Sequence, residues 1–148
     1  MSQSLAKIYV HIVFTTKNGV ITINEAIRKE LQAYLVGVLT KLGSYTYEVY
    51  ANPDHVHILC TLPKAMALAV LVSKIKSASS KWIKPKGIPN FDWQDGYSGF
   101  SVSASKIDVV MQYILNQPEH HKNITFKDEL RDFFREYGID FDERYVWD

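Results

Sequence analysis

The sequence predicts an α+β fold of the ferredoxin-like βαββαβ type, an antiparallel sheet with helices on one face, followed by appended C-terminal helices. Three observations carry this expectation. Alternating β-branched and aromatic residues mark strands in four places. Apolar residues spaced by three and four mark a helix between the first and second strands and another between the third and fourth. A short Asn-Pro-Asp turn joins the second strand to the third and makes them a hairpin.

The elements follow in order. Lys7 to Thr16 (KIYVHIVFTT) places Ile8, Val10, Ile12 and Phe14 on one strand face and Tyr9, His11 and Val13 on the other. Asn24 is the expected N-cap of a helix reaching about Leu42, with Ile27, Leu31, Tyr34, Leu35, Val38 and Leu42 as its stripe and Gly43 as its stop. Tyr45–Ala51 and His55–Leu62 form the hairpin around Asn52-Pro53-Asp54. After Pro63 a second helix spans about Ala67 to Trp82, with Leu68, Leu71, Val72, Ile75 and Ser79 in line. Lys84 to Tyr97 holds two prolines and two glycines and reads as a loop, and Tyr97 to Ser103 alternates as the fourth strand. Ser105 is the expected cap of a third helix, with Asp108 at the capping-box position, continuing to about Gln117 before Pro118. A last helix starts at Thr125 or Lys127, reaches Tyr137 and is closed by Gly138. Such a sheet would keep its second face free for a partner.

Composition sets the class. The 148 residues fit one domain over 1–148 with a real core, and 47% apolar with 22% charged content argues against disorder. No apolar run approaches the roughly 20 residues that cross a bilayer. The N-terminus reads as a strand and not as a signal peptide. One cysteine, Cys60, excludes an internal disulfide and points to a reducing, cytoplasmic setting. Net charge is +1, but its distribution is uneven. Lys64 to Asn90 carries six lysines and no acid, whereas Glu119 to Asp148 carries nine acids against five bases. A basic middle can meet a polyanion while the whole chain stays near neutral.

Two motifs bear chemistry. In His55-Val56-His57 both imidazoles leave one face of a strand, about 7 Å apart at their Cα atoms, a spacing at which they can chelate one divalent ion while Val56 enters the core. Tyr113 and Gln117 stand four apart on the third helix, off its apolar stripe, so the hydroxyl can approach a site that the amide oxygen completes. Each motif alone is weak. Asp54, beside the histidines, is a candidate to orient an imidazole through its other nitrogen, or else an ordinary turn aspartate. His120 and His121 follow Pro118 and are read as lying outside the ligand set.

Together, Asn52-Pro53-Asp54-His55-Val56-His57-Ile58-Leu59 and the downstream Tyr113-Ile114-x-Asn116-Gln117 form a pattern that resembles the IS200/IS605-type Y1 transposases of the HUH endonuclease superfamily. The resemblance also takes in KIYVHIVFTTK, Trp93-Gln94-x-Gly96-Tyr97 and Phe100-Ser101-Val102-Ser103. It implies His55, His57 and Gln117 as ligands of Mg²⁺ or Mn²⁺ and Tyr113 as a nucleophile. The implied product is a 5′-phosphotyrosine link that conserves the phosphodiester bond energy for rejoining. The implied substrate is single-stranded DNA containing hairpins, and the implied assembly is a homodimer joined through its sheets, with active sites able to form in trans. An apolar first strand at a sheet edge would serve that pairing. Lys74, Lys76, Lys81, Lys84 and Lys86 are candidates for phosphate contact, and Trp82, Trp93 and Tyr97 for base stacking. The acidic segment beyond Glu119 resembles a subgroup whose members include domesticated relatives acting on repeated palindromes. The alternatives are a rolling-circle or relaxase-type HUH nuclease, and a non-catalytic ferredoxin-like nucleic-acid-binding module with basic and aromatic residues on an open sheet face.

Overall fold

The structure, a computed structural model, describes residues 2–148. The predicted order of elements is present: β1 (Tyr9–Thr15), α1 (Glu25–Lys41), β2 (Thr46–Ala51), β3 (His55–Thr61), α2 (Leu68–Ile83) and β4 (Ser98–Val102). Three helices follow: α3 (Ile107–Leu115), the short α4 (Gln117–His120) and α5 (Phe126–Glu136). The four strands form one antiparallel sheet in the order β2-β3-β1-β4.

β1 is therefore central, not an edge. Its residues from Val10 to Thr15 are buried on both faces, and a strand with two covered faces needs neighbours on both sides to pair its backbone. Val10, Ile12, Phe14, Val49, Val56, Ile58 and Cys60 line one face of the sheet and pack with Leu31, Leu35 and Leu39 of α1 and Leu71, Val72 and Ile75 of α2. Each such side chain removed from water stabilises the fold by about 1.5–3 kcal/mol. Val56 lies in this core, as the alternation requires.

The second face is not free. Val13 and Phe100 meet Leu130 and Phe134 of α5, while Leu59 meets Ile107 and Ile114 of α3. The open platform expected of a ferredoxin-like binding module is thus roofed by the C-terminal helices. His11, His55 and His57 lie beneath that roof, on the face that Val13 and Leu59 share.

Local chemistry explains the boundaries. Asn24 Oδ1 accepts the Ile27 amide at 3.1 Å, and Gly43, with φ +88°, ends the turn after α1 in a conformation other residues resist. Thr125 Oγ1 accepts the Asp128 amide at 3.2 Å and opens α5. The third helix departs from expectation at both ends. Ser105 does not cap it, because residues 104–106 form a 3₁₀ turn in which the Ser105 hydroxyl pairs with that of Ser103 at 3.2 Å. It stops at Leu115 because Pro118 has no N–H to offer the Ile114 carbonyl, so Gln117 begins α4 instead of ending α3. Among the described residues no helix is long and apolar enough to cross a membrane.

Candidate active site

His55 and His57 occupy alternate positions on β3, and both point into the roofed side, with 2% and 0% exposure. Their ring centroids are 5.2 Å apart. Above them α5 delivers Glu129. This carboxylate stands in the apolar stripe of its helix, between Phe126 one turn before and Phe133 one turn after, and it is 2% exposed.

Three imidazoles converge on one oxygen of that carboxylate. His55 Nε2, His57 Nε2 and His121 Nε2 lie 3.7, 3.1 and 3.3 Å from Glu129 Oε1. In each ring the opposite nitrogen is tied down outside the cluster. His55 Nδ1 pairs with Asp54 Oδ1 at 2.7 Å, His57 Nδ1 with His11 Nε2 at 2.8 Å, and His121 Nδ1 with the Ile124 carbonyl at 3.0 Å. Rings held by Nδ1 with Nε2 turned inward are the arrangement in which outer partners orient metal ligands. Asp54 thus has the orienting position considered for it.

The other carboxylate oxygen gathers the tyrosine machinery. Tyr113 Oη donates to Glu129 Oε2, Gln117 Nε2 donates to the same oxygen at 2.9 Å, and His120 Nε2 is 3.2 Å from it. Gln117 Oε1 accepts from Asn52 Nδ2 at 3.0 Å and pairs with His121 Nε2 at 2.9 Å. Asn52 Nδ2 also reaches His55 Nε2 at 3.1 Å, so the turn before β3 bridges the histidine to the glutamine. Tyr113 and His57, of the same chain, have ring centroids 5.9 Å apart.

Electrostatics follow from burial and this pairing. Desolvation pushes His57 from 6.5 down to about 4, partly offset by its bond to Glu129. Burial likewise holds His11 well below the usual imidazole range. Burial alone would raise Glu129, but hydrogen bonds to His121 and His57 outweigh it and keep this carboxylate ionised. Burial would lower His121, yet its bond to Glu129 wins and raises it. Burial and the adjacent Glu129 charge both push the Tyr113 phenol well above its ordinary value.

The donor set suits a divalent cation. His55, His57, His121 and Glu129 each offer one ligand atom, all within 4.8 Å of one another. The ion-pair partners of the buried Glu129 charge among the described residues are all imidazoles. A buried carboxylate ringed by imidazole nitrogens is a donor set that a cation would complete. Gln117 reaches this centre, but its amide is engaged by Asn52, His121 and Glu129. His121, expected outside the ligand set, is one of these four grouped donors.

Two clefts approach the cluster. One, of about 400 Å³, is lined by Asn52, Asp54, His55, His121 and Phe126. A smaller one, of about 160 Å³, is lined by Tyr113, His120, Glu129, Asp132, Phe133 and Glu136.

The candidate DNA contacts divide. Lys74, Lys81 and Lys84 are exposed on or just beyond α2, on the side of the sheet away from the histidines. Lys76 is not free for phosphate: its ammonium donates to the carbonyls of Gln94 and Gly96 and lies 5.4 Å from the Phe14 ring centre. Lys86 sits 4.7 Å over the Trp82 ring, which itself stacks on Tyr34. Trp93 is 3% exposed and belongs to the core, where its indole N–H donates to Ser79 Oγ at 2.9 Å, so it cannot stack a base. Tyr97 is exposed.

Comparison with known proteins gives the relationship. Residues 4–117 match the family described as Transposase IS200 like. A candidate transposase from Deinococcus radiodurans R1 shares the fold with a TM-score of 0.62 at 22% identity, over 79% of this chain and 98% of that one. A REP-associated tyrosine transposase bound to a REP hairpin shares it with a TM-score of 0.57 at 16% identity, over 84% of this chain and 76% of that one. No curated protein matches the chain.

Proposed function

The chain belongs to the IS200-like transposase family, and on that premise we propose that it cleaves and rejoins single-stranded DNA through Tyr113 with a divalent cation held at His55 and His57. The observation that supports this best is the meeting of the tyrosine hydroxyl and the inward-facing histidines on one buried carboxylate, Glu129. In this reading His55, His57, His121 and Glu129 hold the cation, and Gln117 steadies Glu129 while Asn52 steadies Gln117. Of the two ions expected, the imidazole-rich set favours Mn²⁺, because Mg²⁺ demands oxygen ligands more strictly.

Tyr113 attacks the scissile phosphorus. A bond forms from Oη to phosphorus, the bond to the 3′-oxygen breaks, and that oxygen leaves as a hydroxyl after taking a proton from solvent. Glu129 Oε2 is placed to receive the phenol proton. At rest the proton stays on Tyr113, since burial and the carboxylate charge both oppose a phenolate. A bound divalent ion supplies neutralisation of that charge and polarisation of the scissile phosphate. Reversal by a second 3′-hydroxyl rejoins the strand without a nucleotide cofactor.

Hairpin DNA is the substrate class we favour, since a fold relative is described as bound to one. The exposed lysines of α2 supply phosphate contacts away from the chemistry. The active site is read as forming in cis, because Tyr113 already faces the histidines of its own chain.

The test is covalent capture. Each single strand flanking the gene is incubated with protein and Mn²⁺ or Mg²⁺, and a denaturing gel is read for a slower protein band. The reading expects a band with one strand only, absent in EDTA and with Tyr113→Phe. A band that survives Tyr113→Phe would overturn the assigned nucleophile, and one that survives EDTA would overturn the cation.

A further inference from the structure

Of the three inward-facing imidazoles, two have an oxygen acceptor behind them, the Asp54 carboxylate for His55 and the Ile124 carbonyl for His121. An oxygen can only accept, so in both rings the Nδ1 nitrogen carries the proton. His57 differs. Its Nδ1 faces His11 Nε2, and an imidazole nitrogen can either donate or accept. The tautomer of His57 is therefore fixed by its partner. If His11 donates, the His57 proton sits on Nε2 and its lone pair points away from the cluster. If His11 accepts, the lone pair faces the cluster, as it does in His55, whose Nε2 meets the Asn52 amide donor.

The fold holds this pair tightly. On the antiparallel β1–β3 ladder His11 lies opposite Leu59 and His57 opposite Val13, so the histidines are diagonal neighbours on one face. They are 1% and 0% exposed. The His11 ring is enclosed by Phe100, Tyr113 and Phe133, with centroids 6.0, 6.2 and 5.4 Å away. The pair is closed off from bulk solvent.

We infer that His11 is the positioning residue of the metal site: it accepts the His57 Nδ1 proton at its own Nε2, carries its own proton on Nδ1, and so aims the His57 Nε2 lone pair at the cation. The inference rests on the proposed cation at His55 and His57. His57 Nε2 faces the Glu129 carboxylate at 3.1 Å, a contact that by itself favours a proton on Nε2. A cation taken up at His57 Nε2 would require that proton on Nδ1 instead, donated to His11 Nε2. Solvent exchange supplies the balance, since both rings stay neutral.

Two measurements test this. Long-range ¹H–¹⁵N correlation spectra of the histidines are recorded with EDTA and with saturating Mg²⁺, which is diamagnetic. The expected spectrum in Mg²⁺ shows His57 protonated at Nδ1 and bare at Nε2; a proton on Nε2 in that state would overturn the inference. Calorimetry with Mn²⁺ then compares the wild type with His11→Phe, which removes the acceptor, and His11→Gln, whose amide oxygen replaces Nε2. His11→Phe should weaken Mn²⁺ about 10–100-fold, the usual effect of losing an outer partner, and His11→Gln should recover most of it. Equal affinity in His11→Phe would sink the positioning role while leaving the metal site intact. A wild type that binds neither ion and forms no DNA adduct would remove the metal reading and this inference together. The spectra need no variant, so a poorly folding substitution does not block the decision.

Discussion

Acid should weaken this fold at pH values where its carboxylates are still ionised. His57 is fully buried, and desolvation lowers its pKa from 6.5 to about 4. The unfolded chain takes up a proton at this residue as pH falls through 6.5, but the folded chain does not do so until about 4. Stability is therefore lost across that window as pH falls. At roughly 1.4 kcal/mol per pH unit, the full loss is on the order of 3 kcal/mol, with about 1.4 kcal/mol gone by pH 5.5 and about 2.5 kcal/mol by pH 4.5. His11 is lowered by the same cause and adds loss of the same sign. The other shifted groups of the cluster act mainly outside this window. His121 is raised, so its contribution is fully present below 6.5 and is lost only as pH rises through its folded value. Glu129 and Asp54 are lowered, so theirs is lost only below their unfolded values of 4.5 and 3.8. Urea unfolding in EDTA at pH 6.5, 5.5 and 4.5, followed by tryptophan fluorescence, measures the loss. Stabilities at pH 6.5 and 4.5 that agree within about 0.5 kcal/mol would refute the buried, neutral histidine pair.

Four further outcomes are expected. Glu129→Gln keeps the shape but removes the charge, so Mn²⁺ affinity should fall at least about tenfold by calorimetry; unchanged affinity would take Glu129 out of the donor set. Lys76→Met should cost about 1 kcal/mol in chemical denaturation, because the part-buried carbonyls of Gln94 and Gly96 lose their donor. The Lys81→Ala/Lys84→Ala double variant should instead fold normally and bind a DNA hairpin with a shallower salt dependence, and an unaltered slope would exclude α2 from the interface. Thr125→Ala should cost about 1 kcal/mol through loss of the α5 cap, read as a lower melting temperature and faster amide exchange at Asp128.

Most of the architecture was readable because it follows from spacing along the chain. Asn24, Gly43 and the Asn-Pro-Asp turn act within a few residues of themselves, and period two put His55 and His57 on one face without any tertiary information. The edge or centre position of β1 was not readable from its apolar face alone, although the burial of His11 and Val13 on the other face decides it. Glu129 was hidden among nine acids between Glu119 and Asp148. Its signal was positional: among Phe126, Leu130, Phe133 and Phe134 it fills a slot on the buried side of its helix, where an acid needs partners. The carbonyl partners of Lys76 are hidden from the sequence for the converse reason. Its sequence neighbours are basic and solvent-facing, and only the fold brings the carbonyls of residues 94–96 to its ammonium.

The bonds that close the cluster span long stretches of chain. His11 meets His57 across 46 positions, Asn52 meets Gln117 across 65, and His57 meets Glu129 across 72. The layer beneath α1 and α2, built from the β1–α1–β2–β3–α2 succession, makes the first of these closures through its β1–β3 ladder but neither of the other two. Contacts of high sequence separation carry the larger loop entropy and form late. The β1–β3 layer with its first two helices can therefore be in place, histidines included, while Gln117, His121 and Glu129 are still apart from it. Whatever chemistry the cluster performs is confined to chains that have finished folding.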